Sequence, residues 1–329
     1  MSLLIGRQSY VGLAIEDTPG TAEGSPDVIY PFIENTLMEK HEKLLDISSR
    51  ASRVLNHDAR SGKKWGEGDL GVYVDATNIG YLLKLALGTE VKTTVGGTPT
   101  VSDHHFIPTV SGNTPKTATL WNARGSNPSV KQHTYSAIDT LELEITNEDI
   151  GEATAAFITD YPTKVSAPTL TTTSGTLMAW NNMEVRFGDT YNEAIAASAT
   201  KMTNFKLEMA NNVEAQYRSG SDQPDTITLG ELEVSGEYTL FFENDTEADA
   251  YRDNTKRCMV VDLLGANIGG GYQERVRLIF RRVFIEENEY ETDLDGIIAL
   301  TQTFRCVQGS SVDPGFFEAI VRNLKSDLY

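Results

Sequence analysis

Three short strings in this chain have residue types and spacings that can do chemistry. Gly66-x-Gly68-x-x-Gly71 has the spacing of a dinucleotide-binding turn, in which glycines let a phosphate reach helix-end N–H groups. Glu291-x-Asp293-x-Asp295-Gly296 has the oxygen-rich start of a calcium loop, and His104-His105 offers paired imidazoles to a metal. Each string lacks a neighbour that its chemistry needs. The glycines fall before or inside a strand pattern, and Glu67 and Asp69 between them would repel phosphate. They read as structural glycines in a strand that another backbone approaches closely. The twelfth position of the calcium loop is Gln302 where a bidentate Glu is required, so the segment reads as a hairpin turn. No further His or Cys stands at ligand spacing from His104 and His105, which read as a polar loop opening the strand at Phe106-Ile107. Ser61-Gly62-Lys63-Lys64 lacks the leading glycine and the Ser or Thr of a P-loop, and there is no Gly-x-Ser-x-Gly, Cys-x-x-Cys or plausible catalytic dyad. The expectation is a protein with no catalytic residues, no cofactor and no metal.

Composition points the same way. The 329 residues are enough for about two domains, and 40% hydrophobic content makes the chain globular. Asp and Glu number 47 against 28 Lys and Arg, and a net charge of -19 argues against a surface that grips phosphate. No apolar run approaches the roughly 20 residues of a membrane helix, so no membrane partner is expected. Met1 to Arg7 lacks the cationic start and apolar core of a signal peptide, and Cys258 and Cys306 read as buried free thiols in strands. A protein made in the cytoplasm is expected.

The elements that must position any functional residue are mostly strands. Leu141 to Thr146, Phe205 to Met209 and Leu229 to Val234 alternate apolar and charged residues with period two. Arg275 to Ile285 and Ile297 to Val307 read as a hairpin turned by Asp293 to Gly296. One pattern occurs twice: a glycine-punctuated strand carrying Gly-x-Tyr, then a short amphipathic helix. The copies are Gly71-Val72-Tyr73 leading into Ala76 to Leu87, and Gly236-Glu237-Tyr238 leading into Asp245 to Asn254. Each is preceded by an extended segment (Gln8 to Glu16; Thr176 to Phe187). Each is followed by a strand (Thr117 to Asn122; Cys258 to Leu263) and a closing hairpin (Gln132 to Thr159; Gln273 to Val307). A duplicated β-rich unit is expected, divided into residues 1–165 and 166–329 at the linker Tyr161 to Thr169. Two segments, 35–64 and 87–115, read as long loops.

Charge is distributed unevenly over these elements. Glu142, Glu144, Glu208, Glu231 and Glu233 lie in strand patterns, either as solvated faces of half-buried sheets or as one negative functional surface. Lys40, Lys43, Arg50, Arg53, Arg60, Lys63 and Lys64 concentrate basic charge in the excursion from Asn35 to Lys64.

The run Gly6-Arg7-Gln8-Ser9-Tyr10-Val11-Gly12-Leu13-Ala14-Ile15-Glu16-Asp17-Thr18-Pro19-Gly20-Thr21-Ala22 resembles the start of tail tube proteins of long-tailed bacteriophages. Tyr30-Pro31-Phe32, the basic stretch to Lys64, the strand with Tyr73, Tyr81 to Gly88, Phe280 to Phe284 and Ile297 to Phe304 continue the resemblance over most of the chain. The resemblance implies two tandem β-sandwich or barrel tube domains, each with one flanking helix and long loops. It implies a structural virion protein whose rings join edge to edge and stack into the conduit for genome delivery, with tape measure, tail terminator and distal tail proteins as partners. If family rings hold six tube domains, a chain with two needs three copies, a trimeric ring with pseudo-sixfold symmetry. On this reading the five glutamates line the lumen, past which DNA slides without binding, and the basic excursion meets the next ring. Rival readings are a tail terminator, a capsid decoration protein or a non-viral β-rich binding protein. A carbohydrate binder is disfavoured because Trp65, Trp121 and Trp180 are scattered.

Overall fold

The computed structural model describes residues 6–51, 53–97, 99–125, 130–169, 175–291 and 296–329. Strands dominate because period-two runs place one row of apolar side chains on one face. β1 (Tyr10–Ile15), β2 (Val28–Tyr30), β3 (Phe32–Asn35), β4 (Met38–Asp46) and β5 (Asp58–Tyr73) precede helix α1 (Ile79–Leu87). β6 (Gly88–Gly96), β7 (Val101–Pro108), β8 (Ala118–Ala123), β9 (Val130–Thr146), β10 (Glu152–Thr159) and β11 (Thr163–Val165) follow. The second half opens with β12 (Met183–Gly188), α2 (Tyr191–Ala196), β13 (Asn204–Ala210) and the short pair β14 (Glu214–Gln216) and β15 (Thr226–Thr228). It continues with β16 (Glu233–Phe241), α3 (Thr246–Arg252), β17 (Arg257–Gly269), β18 (Tyr272–Glu291), β19 (Ala299–Cys306) and β20 (Phe317–Asn323).

Antiparallel pairing follows one order twice. In the first half it runs β1, β8, β9, β10, β5, β3. In the second it runs β12, β17, β18, β19, β16, β13. The long strands β9 and β18 each pass from one sheet partner to another, and each carries a bulge. After the pair Ile138 and Phe157 the extra residue is Asp139, and after the pair Ile285 and Phe304 it is Glu286. An extra residue bends a strand and raises its twist, which lets one strand serve two sheets.

These bulges fix the correspondence between halves, and it is not the one that Gly-x-Tyr suggests. Phe157 pairs with Gly68, whereas Phe304 pairs with Gly236. Gly68 therefore stands where Gly236 does, three residues from Gly71. Tyr238 is fully buried, while Tyr73 projects from the opposite face to buried Val72 and Val74. An odd shift in register exchanges the two faces of a strand, so the repeated string marks equivalent strands but not equivalent residues. Both true equivalents need glycine for one reason. A Cβ on Gly68 would lie 2.6 Å from the Thr36 carbonyl oxygen, and one on Gly236 would lie 2.2 Å from the Lys206 carbonyl oxygen.

Other expectations change as well. The segment 87–115, read as a loop, contains the hairpin β6–β7, because its Val and Thr residues suit a pleated strand. β7 pairs with β20, so this hairpin extends the sheet of the second half. The segment 35–64 is largely the hairpin β4–β5. His104 and His105 lie inside β7, not in a loop opening it. The linker carries β11, which pairs with β9. The second half has a second helix, α2, closed by a Thr190–Glu193 capping box. Asp293 and Asp295 of the anticipated turn lie outside the described residues. Cys258 and Cys306 are free and buried, and burial pushes both thiols up to about 12.

One core cluster spans both halves. Phe280 stands 5.3 Å from Phe304 and 5.0 Å from Phe317 between ring centres, in tilted and edge-on geometries that aromatic quadrupoles favour. The C-terminal Tyr329 inserts against Tyr81 and His104 of the first half. Beneath it Glu90, whose side chain is 1% exposed, accepts from Lys84 Nζ at 2.9 Å, pairs with His104 Nδ1 at 2.8 Å, and accepts from the Tyr329 N–H at 3.0 Å. Burial opposes ionisation of Glu90, but the His104 and Lys84 hydrogen bonds outweigh it and hold its carboxyl below the usual range.

Two outcomes are expected. Gly68→Ala and Gly236→Ala should each destabilise the fold by about 1–3 kcal/mol, since backbone must move, and Gly71→Ala should cost less, as read from urea midpoints. Glu90 contributes stability that is fully present above its unfolded pKa and is lost as pH falls through its lower folded value. Glu90→Gln should therefore cost roughly 3 kcal/mol at neutral pH and flatten the acid limb of a stability-versus-pH curve.

Candidate functional site

The two halves are stitched into one ladder by β9 and β13. Lys206 stands opposite Glu144, Leu207 opposite Leu143 and Glu208 opposite Glu142. The ladder runs through seven strands, β5, β10, β9, β13, β16, β19 and β18. One row crosses it as Val72, Ala153, Leu143, Leu207, Gly236, Phe304 and Ile285, and this row faces the core.

The opposite face follows from the pleat. It carries Glu152 from β10, Glu142 and Glu144 from β9, Glu208 from β13, Glu233 and Glu237 from β16, and Glu287, Glu289 and Glu291 from β18. Thr154, Thr140, Thr239, Thr301 and Thr303 fill intervening positions. The cations among them are engaged. Lys206 Nζ pairs with Glu142 at 3.0 Å, and that hydrogen bond, opposed by partial burial and helped by Glu144 and Glu208, raises the lysine pKa. Arg305 pairs with Glu286 at 3.0 Å and also with Glu233. Partial desolvation raises the pKa of Glu152, as do Asp149 and Glu144 beside it.

Such a face is not built for stability. Glu142 and Glu208 stand directly across a strand pair, where like charges are destabilising. Glu142 and Lys206 keep 38% and 37% of their side-chain surface exposed, so water screens the repulsion. The field that remains reaches outward over about one Debye length, ~8 Å at physiological salt. An array of this kind repels phosphate, and its few cations leave little counterion release to drive binding.

Of the expected acidic residues, Glu142, Glu144, Glu208 and Glu233 share this face. Glu231 does not lie in a strand: β16 begins at Glu233, because Gly230 donates its N–H to the Asn211 carbonyl as the chain crosses the end of β13. Glu237 was legible as the next alternate position after Glu233. Glu287, Glu289 and Glu291 were not, because the bulge at Glu286 inverts the alternation.

The basic residues form no single cluster. They belong to the β4–β5 hairpin and the segment joining its strands, and many are held by acids of the same chain. Lys40 pairs with Glu67 at 3.0 Å, Lys64 with Asp222 at 2.6 Å, Arg60 with Asp58 at 3.9 Å and Arg50 with Asp46. Lys43 bonds His41 at 2.8 Å, Lys63 sits 4.7 Å from the Tyr217 ring centre, and Arg53 is exposed. Beside them Leu44, Leu45, Ile47 and Leu55 are exposed, a surface that the sequence reading overlooked by attending to charge. Grouped exposed apolar side chains of this kind are a feature of contact surfaces in general.

Among the described residues no three or more His, Cys, Asp or Glu side chains are grouped to hold a metal, and no helix is long and apolar enough to cross a membrane. No curated protein matches the chain. A family model described as phage tail tube protein matches residues 6–306. A mainly β chain with a carboxylate-rich sheet face and this match belongs to the phage tail tube proteins, structural and non-enzymatic components of the virion tail.

Proposed function

We propose that the protein polymerises as stacked rings into the tail tube and that the carboxylate face lines the lumen through which the genome is delivered. The observation that carries this reading is the unbroken seven-strand ladder, which gives one continuous negative wall from both halves of the chain. Each half, residues 1–165 and 166–329, acts as one tube domain, as the repeated pairing order supports. Three chains then close a ring with pseudo-sixfold symmetry. DNA passes because the wall offers it repulsion and almost no free cations.

The β4–β5 hairpin supplies the axial contact between rings. Lys43, Arg50, Arg53, Arg60 and Lys63, with the exposed Leu44 and Leu45, meet the neighbouring ring, while Lys40 and Lys64 stay near the hairpin base. Tape measure protein inside the tube, and tail terminator and distal tail proteins at its ends, are the further partners. A tail terminator or decoration protein would share the β fold but would not form long tubes.

Electron microscopy of the purified protein should show hollow tubes whose rings contain three chains each; six chains per ring, or monomers at all concentrations, contradict the reading. Deleting residues 43–63 should leave rings that do not stack, and normal tubes from that variant would refute the axial role. Replacing Glu142, Glu208 and Glu237 by Lys in phage particles should slow genome ejection about tenfold or more without preventing assembly, as added cations create phosphate contacts. Ejection at the normal rate would remove these residues from the lumen wall.

A further inference from the structure

We propose that the β9–β13 joint inside the chain is an internal copy of the joint between chains, in which the free edge of β18 in one copy pairs with the β3–β4 edge of the next. This inference rests on the ring reading above and specifies its contact. The bulge makes β18 the counterpart of β9, residue for residue: Glu287, Asn288, Glu289, Tyr290 and Glu291 take the places of Thr140, Leu141, Glu142, Leu143 and Glu144. In β9 those residues pair with β10 on one side and β13 on the other. In β18 they pair with β19 on one side, and among the described residues no strand lies on the other, because β17 pairing ends at Val283.

The counterpart of β13 is equally exposed. Leu207 pairs with Gly236, and the register of β3 and β4 along β5 sets Leu37 opposite Gly68, so Leu37 stands where Leu207 does. Both leucines are fully buried. The far edge of β13 is taken by β9, whereas β3 and β4 have β5 on one side and no strand on the other among the described residues. An unpaired edge is a template for another chain, and natural proteins guard it. Here side chains guard it. The Asn35 side chain accepts from the Leu37 N–H, and the Leu37 carbonyl accepts from Asn122 and Arg124. Docking exchanges these side-chain bonds for main-chain ones.

Carrying the internal register across sets Thr36 opposite Glu291, Leu37 opposite Tyr290, Met38 opposite Glu289 and Lys40 opposite Glu287. Charge supports the same pairing. The β18 edge carries Glu286, Glu287, Glu289 and Glu291, and although β4 holds Glu39 and Glu42 as well as Lys40 and Lys43, the register brings Lys40 to Glu287. Tyr290, 45% exposed in the single chain, is then covered on the core face beside Leu37, while Met38, 41% exposed, stands beside Glu289 on the carboxylate face. Each chain has one edge of each kind, so the contact is head-to-tail and closes when the rotation permits.

The test uses the full chain carrying Met38→Cys and Glu289→Cys, an expected non-hydrogen-bonded pair whose short Cβ separation suits a disulfide. Oxidised assemblies should give covalent species of two and three chains on a non-reducing gel, with no larger product. Met38→Cys with Asn288→Cys, which faces the other way, should not cross-link. Tubes that form normally and yield no cross-link overturn the edge assignment and leave the tube reading standing; protein that never assembles, with or without the cysteines, overturns both. Separately, Lys40→Glu should raise the protein concentration needed for assembly about tenfold, and adding Glu287→Lys should restore it. A Lys40→Glu protein that assembles as the parent does, or a double variant as impaired as the single one, counts against this register.

Discussion

The antiparallel ladder between β9 and β13 is the contact on which the rest of the molecule depends. Its hydrogen bonds convert two β units into one sheet, and its core-facing pairs, Leu143 with Leu207 and Ile145 with Phe205, fuse their apolar interiors. Main-chain pairing is indifferent to side-chain identity but strict about register. Once Leu207 faces Leu143, Glu208 must face Glu142 on the other side. The buried row and the carboxylate row are two consequences of one alignment.

That alignment carries an electrostatic penalty. Lys206 is held by Glu142 and overlooked by Glu144 and Glu208, and Arg305 is shared by Glu233 and Glu286. These cations moderate the repulsion without neutralising it. The apolar face sustains the difference, because Phe205, Phe280, Phe304 and Phe317 are almost wholly removed from water, at roughly 2–3 kcal/mol apiece. The face weakens the fold and the core behind it offsets the cost.

Much of this was legible one element at a time. The alternation in Leu141 to Thr146 and Phe205 to Met209 located β9 and β13 and gave Glu142, Glu144 and Glu208. The glycine string was read as structural, and Gly68 is pinned by the Thr36 and Leu37 backbone. The histidine pair was misread because His104 is buried by contacts distant in sequence, with Glu90 and with the Lys325 carbonyl. The β6–β7 hairpin was misread because a Gly- and Thr-rich segment joins a sheet only when β20 is present to receive it.

The sequence by itself determined the β character, the negative charge and the family resemblance, because these depend on residue types and on periods of two, which are local. Only the tertiary structure decided which residues of the two halves correspond, because a bulge at Asp139 and another at Glu286 shift the phase of the strands that contain them. A single extra residue leaves composition untouched and inverts every side chain beyond it. The repeated Gly-x-Tyr string therefore marks two strands with the same place in the pairing order while aligning them three residues out of place, and the bulge at Glu286 hides the carboxylates of β18 from a reading by period two.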